Sequence, residues 1–326
     1  MFLRCAKYIR YSMICLGILS LLLIVTPVEV SSEPVRILIV KSAMGTEYDQ
    51  TVSAIKSSLQ MDGMSFVTEE ILIVPAQEEE QVFWNNVHRN KPKLIITVGT
   101  KATTSAVNFV RDIPIIFTMV LGKIETIESQ MISARTKDIS GVTLSIPVKD
   151  QLTMMLEALP YVRRVGLLYS RESIQTYNAA NETTKKMGLR LLANEISSER
   201  DIPIVLREIL PEIDVFWLPP DAVVYERNNL SYIIRECYTN SIPVIAVSEQ
   251  FAKAGTPLAF GIDYTDLGKQ TAELALRRLS VNSFSTPVIE TPRKILLHIN
   301  KGVATSLGLK IPGRILERAI PVENGR

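Results

Sequence analysis

Residues 94–106 read LIITVGTKATTSA: an apolar run, a glycine, then small and hydroxyl side chains. A short run without polar alternation needs both faces covered, the condition of a strand inside a parallel sheet. A strand ending at Gly99 and a helix opening at Thr100 aim unpaired backbone N–H groups and the positive end of a helix dipole at one spot. Such a spot attracts an anion, whether a nucleotide phosphate, a catalytic oxyanion or the carboxylate of a small ligand.

The same alternation extends in both directions. VRILIV (35–40) reads as a buried strand, 47–60 as a helix, FVTEEILIV (66–74) as a strand and 78–90 as a helix. After the strand at 94–99 come a helix over 100–110 and PIIFTMV (114–120). A second series follows, with RVGLLYS (164–170), a helix over 173–187 and LRLLANEI (189–196). VFWLPPD (215–221) then leads into a helix through Ile234, and PVIAVSE (243–249) closes the series. Strands alternating with helices of this length imply βαβ units with right-handed crossovers. DIPIIFTMV (112–120) is echoed by SIPVIAVSE (241–249), a weak internal repeat. The expected fold class is therefore α/β: two doubly wound parallel-sheet lobes joined by a three-segment hinge. The expected crossings are 124–147, PLAFGIDYTDLG (257–268) and ETPRKILLHIN (290–300), with GKQTAELALRRL (268–279) strongly helical and a terminal helix near 301–307. Residues 33–142 plus 264–290 form one expected lobe, and 143–263 plus 291–326 the other.

A chain of 326 residues, 47% hydrophobic, has room for two cores and is not composed like a disordered one. With 36 basic and 34 acidic residues, charge gives no reason to expect nucleic acid or an anionic membrane surface as a partner. The N-terminus carries basic MFLRCAKYIR, apolar SMICLGILSLLLIV and small residues at Val30-Ser31-Ser32. That is the pattern of a secretory signal peptide over 1–32, placing the mature chain in the periplasm or elsewhere outside the cytoplasm; left uncut, it would be an anchor. Cys237 is then the only cysteine of the mature chain, with no internal disulfide, and reads as a core residue on a helix.

Enzymatic signatures fail on inventory. His88 and His298 are the only histidines, far apart in sequence, and no nucleophile elbow, zinc-binding His pair or Cys/His cluster appears. A phosphate-cradling loop needs a second glycine and then Lys-Ser or Lys-Thr, whereas TKATTSA follows Gly99. The expectation is no enzyme, no cofactor and no metal, with a smaller anion favoured over phosphate. In open parallel sheets ligands sit outside the carboxyl ends of the strands. The polar residues at those ends are Ser42, Gly99, Thr100, Thr118, Ser170, Asp221, Ser248, Glu249 and Asp263. Any one of them alone reads as a turn or helix cap.

Over 35–312 the chain resembles the ABC transporter substrate-binding protein family of the tryptophan- and tyrosine-binding type, with the type I periplasmic binding fold. The resemblance rests on KLIITVGTKATTSA, DIPIIFT, ISGVTLSIPVKDQLTMMLEALPYVRRVGLLYS, SIPVIAVSE, FGIDYTDLGKQTAELALRRL and ETPRKILLHINKGVATSLGLKIP, in that order. It implies capture of a small molecule outside the cytoplasm and delivery to a membrane permease driven by an ATPase. By the same resemblance, Gly99 and Thr100 would hold a carboxylate and Thr118 would line the same lobe. Asp221 and Asp263 would meet an ammonium, and Phe117, Tyr169 and Tyr264 would stack on a ring. Ser170, Ser248 and Glu249 complete the expected site, and the chain is expected to be a monomer. Departures stand out: relatives often carry Pro-Thr-Asp-Asn where this chain has Pro219-Pro220-Asp221-Ala222, and Tyr-Asn-Pro where it has Tyr169-Ser170-Arg171. The alternative is a ligand-sensing subunit that signals to a membrane receptor.

Overall fold

The computed structural model describes residues 34–60, 65–73, 77–121, 138–281 and 286–323. The expected signal peptide and most of the expected first crossing lie outside these. Among the described residues no helix is long and apolar enough to cross a membrane.

The first sheet contains β1 (Val35–Lys41), β2 (Phe66–Leu72), β3 (Leu94–Val98), β4 (Ile115–Val120), β5 (Ile139–Thr143) and β11 (Ile289–Glu290), in the order β11-β5-β4-β3-β1-β2 and parallel throughout. All five residues of β3 are buried, as the opening stretch requires. One face packs against α1 (Thr46–Gln60) and α9 (Tyr264–Leu279), placing Ile37, Ile39, Ile96 and Val98 against Val52, Ile55, Leu267 and Leu274. The other packs against α2 (Gln77–Asn90) and α3 (Thr100–Phe109), where Val40, Ile95 and Phe117 meet Trp84, Ala102 and Ala106. Each fully buried Ile, Leu or Val here contributes about 1.5–3 kcal/mol over exposure.

The second sheet contains β6 (Arg164–Tyr169), β7 (Arg190–Glu195), β8 (Val215–Leu218), β9 (Val244–Val247), β10 (Leu258–Ile262), β12 (Ile295–Asn300) and β13 (Ile320–Val322), in the order β13-β12-β10-β9-β8-β6-β7. Among the described residues, its β10–β12 pair alone is antiparallel. α4 (Val148–Ala158) and α5 (Ile174–Lys186) cover one face; α6 (Asp201–Ile209) and α7 (Arg227–Thr239) cover the other, with Cys237 fully buried on α7. Each sheet holds one fully buried tryptophan whose indole N–H is satisfied: Trp84 donates to Ser105 Oγ at 2.8 Å and Trp217 to Gln151 Oε1 at 2.9 Å.

The α/β architecture matches the expectation, and the echoed segments DIPIIFTMV and SIPVIAVSE supply equivalent strands, β4 and β9. The chain passes between the sheets after β5, after β10 and between β11 and β12. Lys294 pairs with Asp263 at 2.6 Å, linking two of these passages, while Arg293 holds Asp266 and Glu273 of α9.

Local differences have local causes. The helix expected directly after Asp221 starts later, at Arg227, because Asp221 closes its own turn and Glu226 caps the helix through the Asn228 amide. α6 escapes the periodicity reading because Pro203 sits in its first turn, where its missing N–H costs no helical bond.

Gly268 lets α1 and α9 touch: a Cβ there would lie 2.4 Å from the Thr51 carbonyl oxygen and 2.7 Å from Ala54 Cβ. Gly268→Val should therefore cost about 1–3 kcal/mol or more through overpacking, read as a lower urea midpoint at unchanged m-value.

Candidate functional site

β1 lies between β2 and β3, and β6 between β7 and β8. The winding reverses beside each of these strands, leaving a crevice outside the carboxyl ends. Ser42–Gly45 and Gly99–Thr100 flank the first crevice; Ser170–Ser173 and Pro219–Asp221 flank the second.

At the first crevice the backbone is tightly laced. The Ser42 amide donates to Val98 O at 2.9 Å and the Gly99 amide to Thr118 O at 2.8 Å. The Ala102 amide donates to Ser42 Oγ at 2.8 Å, so a side chain from the loop after β1 caps α3. Gly99 has φ of 97°, and a Cβ there would fall 2.6 Å from Ser42 Oγ and 2.8 Å from the Tyr48 hydroxyl. Only glycine fits. Among the described residues the amides of Thr100 and Lys101 have no hydrogen-bond partner, and both residues are exposed. Thr118 is fully buried and its Oγ1 has no partner among the described residues. Beside it, Met119 takes φ of 56° where the register to β5 shifts.

The second crevice has a volume of about 320 Å³ and is lined by Glu172, Ser173, Pro220, Asp221, Ala222 and Tyr225. The buried Asp221 carboxylate is fully engaged. One oxygen accepts from the Ser170 amide at 2.7 Å and the Ser173 hydroxyl, the other from the amides of Val223 at 2.9 Å and Val224 at 3.1 Å. Burial alone would raise its pKa, but the bonds from Ser173 and the Ser170 and Val224 amides outweigh this and hold it below the usual carboxylate range. The Tyr225 hydroxyl donates to Leu218 O at 3.2 Å, and burial pushes its pKa far up.

Ser248 caps α8 (Glu249–Lys253) through the Gln250 amide at 3.2 Å, and Glu249 pairs with Lys253 at 2.6 Å. Asp263 caps α9 through the Asp266 amide at 3.0 Å and pairs with Lys294. Burial opposes ionisation of Asp263, but Lys294 and the α9 amides prevail, and its pKa is lowered. Burial raises the pKa of the Tyr264 hydroxyl, and the negative charges of Glu47 and Glu249 raise it further.

The structure thus brings Ser42, Gly99, Thr100 and Thr118 together at one crevice and Ser170 with Asp221 at the other, while Ser248 and Asp263 cap two neighbouring helices whose first residues are Glu249 and Tyr264. Three expectations need correction. Asp221 and Asp263 are already engaged with the fold rather than open to an ammonium. Phe117 is fully buried, packed over Gly141, and cannot stack on a ligand. Tyr169 is stacked on Tyr177 with centroids 4.4 Å apart and planes 7° apart, so that face of its ring is taken. The sequence reading missed Tyr48, Glu172 and Tyr225; the Ser-x-x-Ser spacing of 170–173 was a cue for the Ser173 cap, but nothing local marked Tyr48.

Residues 37–323 match the family model described as ABC transporter substrate binding protein. The chain belongs to this family. Among curated relatives of this substrate-binding family, the Tyrosine-binding protein of Clostridioides difficile (strain R20291) is 23% identical over 224 residues, 68% of this chain, and the match spans 64% of that protein's length. The ligand-free, open structure of a substrate binding protein with adhesive properties from Clostridium difficile superposes with a TM-score of 0.73 at 21% identity, covering 89% of this chain and 99% of that one. The ABC domain in complex with L-Trp from Streptococcus pneumonia gives 0.58 at 19% identity, covering 89% and 99%. These structures share the fold of this substrate-binding protein.

Asp221→Asn would leave two of the four donors facing an amide N–H₂, costing about 2–4 kcal/mol at pH 7. Because the folded-state pKa of Asp221 is lowered, its stabilisation is present above the unfolded carboxylate value near 4 and is lost as pH falls toward the folded value. Urea unfolding at pH 7 and pH 3 should show the wild-type advantage shrinking at the lower pH.

Proposed function

We propose that this chain is the extracytoplasmic binding subunit of an ABC importer, not an enzyme, and that it captures a small carboxylate-bearing ligand of amino-acid size. The chain would be exported through residues 1–32 and act as a monomer. The lobes formed by 33–142 plus 264–290 and by 143–263 plus 291–326 close over the ligand and present it to a membrane permease. The observation that carries this reading is the pair of unpartnered amides at Thr100 and Lys101, set at a winding reversal in a chain of the substrate-binding family. The tyrosine-binding relative and the L-Trp complex support an aromatic amino acid as the first candidate.

The helix end supplies about 1–2 kcal/mol toward the roughly 8 kcal/mol that micromolar affinity requires. Side-chain contacts and desolvated apolar surface must supply most of the rest. The carboxylate role is tested by Thr100→Pro. Proline is favoured at the first helical position, so the substitution deletes one amide donor and keeps the helix. Titration calorimetry should show about tenfold or greater loss of affinity for the best-binding amino acid, with the melting temperature of the free protein little changed. Unchanged affinity would place the carboxylate elsewhere.

A further inference from the structure

With Asp221 and Asp263 engaged, recognition of a cationic group needs another carboxylate, and the first turn of α1 holds one. Glu47 is exposed and has no ion-pair partner among the described residues. A Cβ on Gly45 would lie 3.6 Å from Glu47 Oε2 and 3.8 Å from Tyr48 Cδ2, so the carboxylate and one edge of the tyrosine ring both border Gly45 in the loop that follows β1. The far end of that ring reaches the anion crevice: the Tyr48 hydroxyl is 2.8 Å from where a Gly99 Cβ would be, next to Ser42. It has no hydrogen-bond partner among the described residues. Burial, then the charge of Glu47, raises its pKa, so it remains a protonated donor at neutral pH. The unpartnered, fully buried Thr118 Oγ1 is on the strand whose carbonyl receives the Gly99 amide.

We propose that adjacent residues of α1 read the two charges of an α-amino acid head group, the Tyr48 hydroxyl donating to the carboxylate beside the Thr100 and Lys101 amides and the Glu47 carboxylate receiving the ammonium. The assignment rests on the carboxylate reading given above and names the residues that turn a carboxylate site into an amino-acid site. A carboxylate at a helix start is also stabilised by the dipole, so a helix-stabilising role alone would lower stability without changing ligand preference. Preference is the decisive measurement.

The probes are L-tyrosine and L-tryptophan, each with its des-amino counterpart, 3-(4-hydroxyphenyl)propionate and indole-3-propionate, titrated calorimetrically into the wild type, Glu47→Gln and Tyr48→Phe. The wild type should prefer at least one amino acid over its des-amino partner by about tenfold or more. Glu47→Gln should erase that preference while leaving des-amino acid affinity within about twofold, and Tyr48→Phe should weaken both members of the pair by about tenfold. Glu47→Gln retaining the wild-type preference overturns this assignment and leaves the carboxylate reading intact. A folded wild type that binds none of the four overturns the assignment, while the carboxylate reading is decided separately by Thr100→Pro with the best ligand from a wider panel.

Discussion

The bond from the Ala102 amide to Ser42 Oγ depends on the empty side-chain position at Gly99. It joins the loop after β1 to the helix after β3, the two strands beside which the first sheet reverses its winding. The helix end is thereby held open in a defined direction: one amide is taken by the hydroxyl, two are left, and Tyr48 closes against the same glycine. The second sheet solves the corresponding problem differently. Where the first uses a hydroxyl and leaves donors unused, the second uses Asp221 and exhausts the acceptor. The result is polar asymmetry between two crevices of similar topology, spare N–H groups in one and a saturated carboxylate in the other.

Much of the fold was legible because its determinants are local. A five-residue run buried on both faces specifies an interior parallel strand, and the repeated Ile-Pro strand opening at 113–114 and 242–243 marks equivalent positions in two windings. Helix limits were less legible wherever a side chain far along the chain sets them. The turn after β8 is held by Asp221 together with Ser170 and Ser173, some fifty residues earlier, and no periodicity encodes that.

The same division holds at the site. Polar residues at strand ends could be named, since the carboxyl edge of a parallel sheet is where its crevices lie. Whether a given group is free to meet a ligand could not, because that depends on partners from distant segments: Lys294 for Asp263, Tyr177 for Tyr169, and the α2- and α3-covered core for Phe117. Tyr48 shows the converse. Its neighbour Gly99 is distant in sequence, so its place beside the crevice emerges only when β1 and β3 pair.

The two indoles carry an optical consequence. Trp84 and Trp217 are the only tryptophans of the chain, and each is sealed inside the core of a different sheet. Replacing either with phenylalanine leaves one native fluorophore, so the emission of each half of the molecule can be followed separately without attaching a dye.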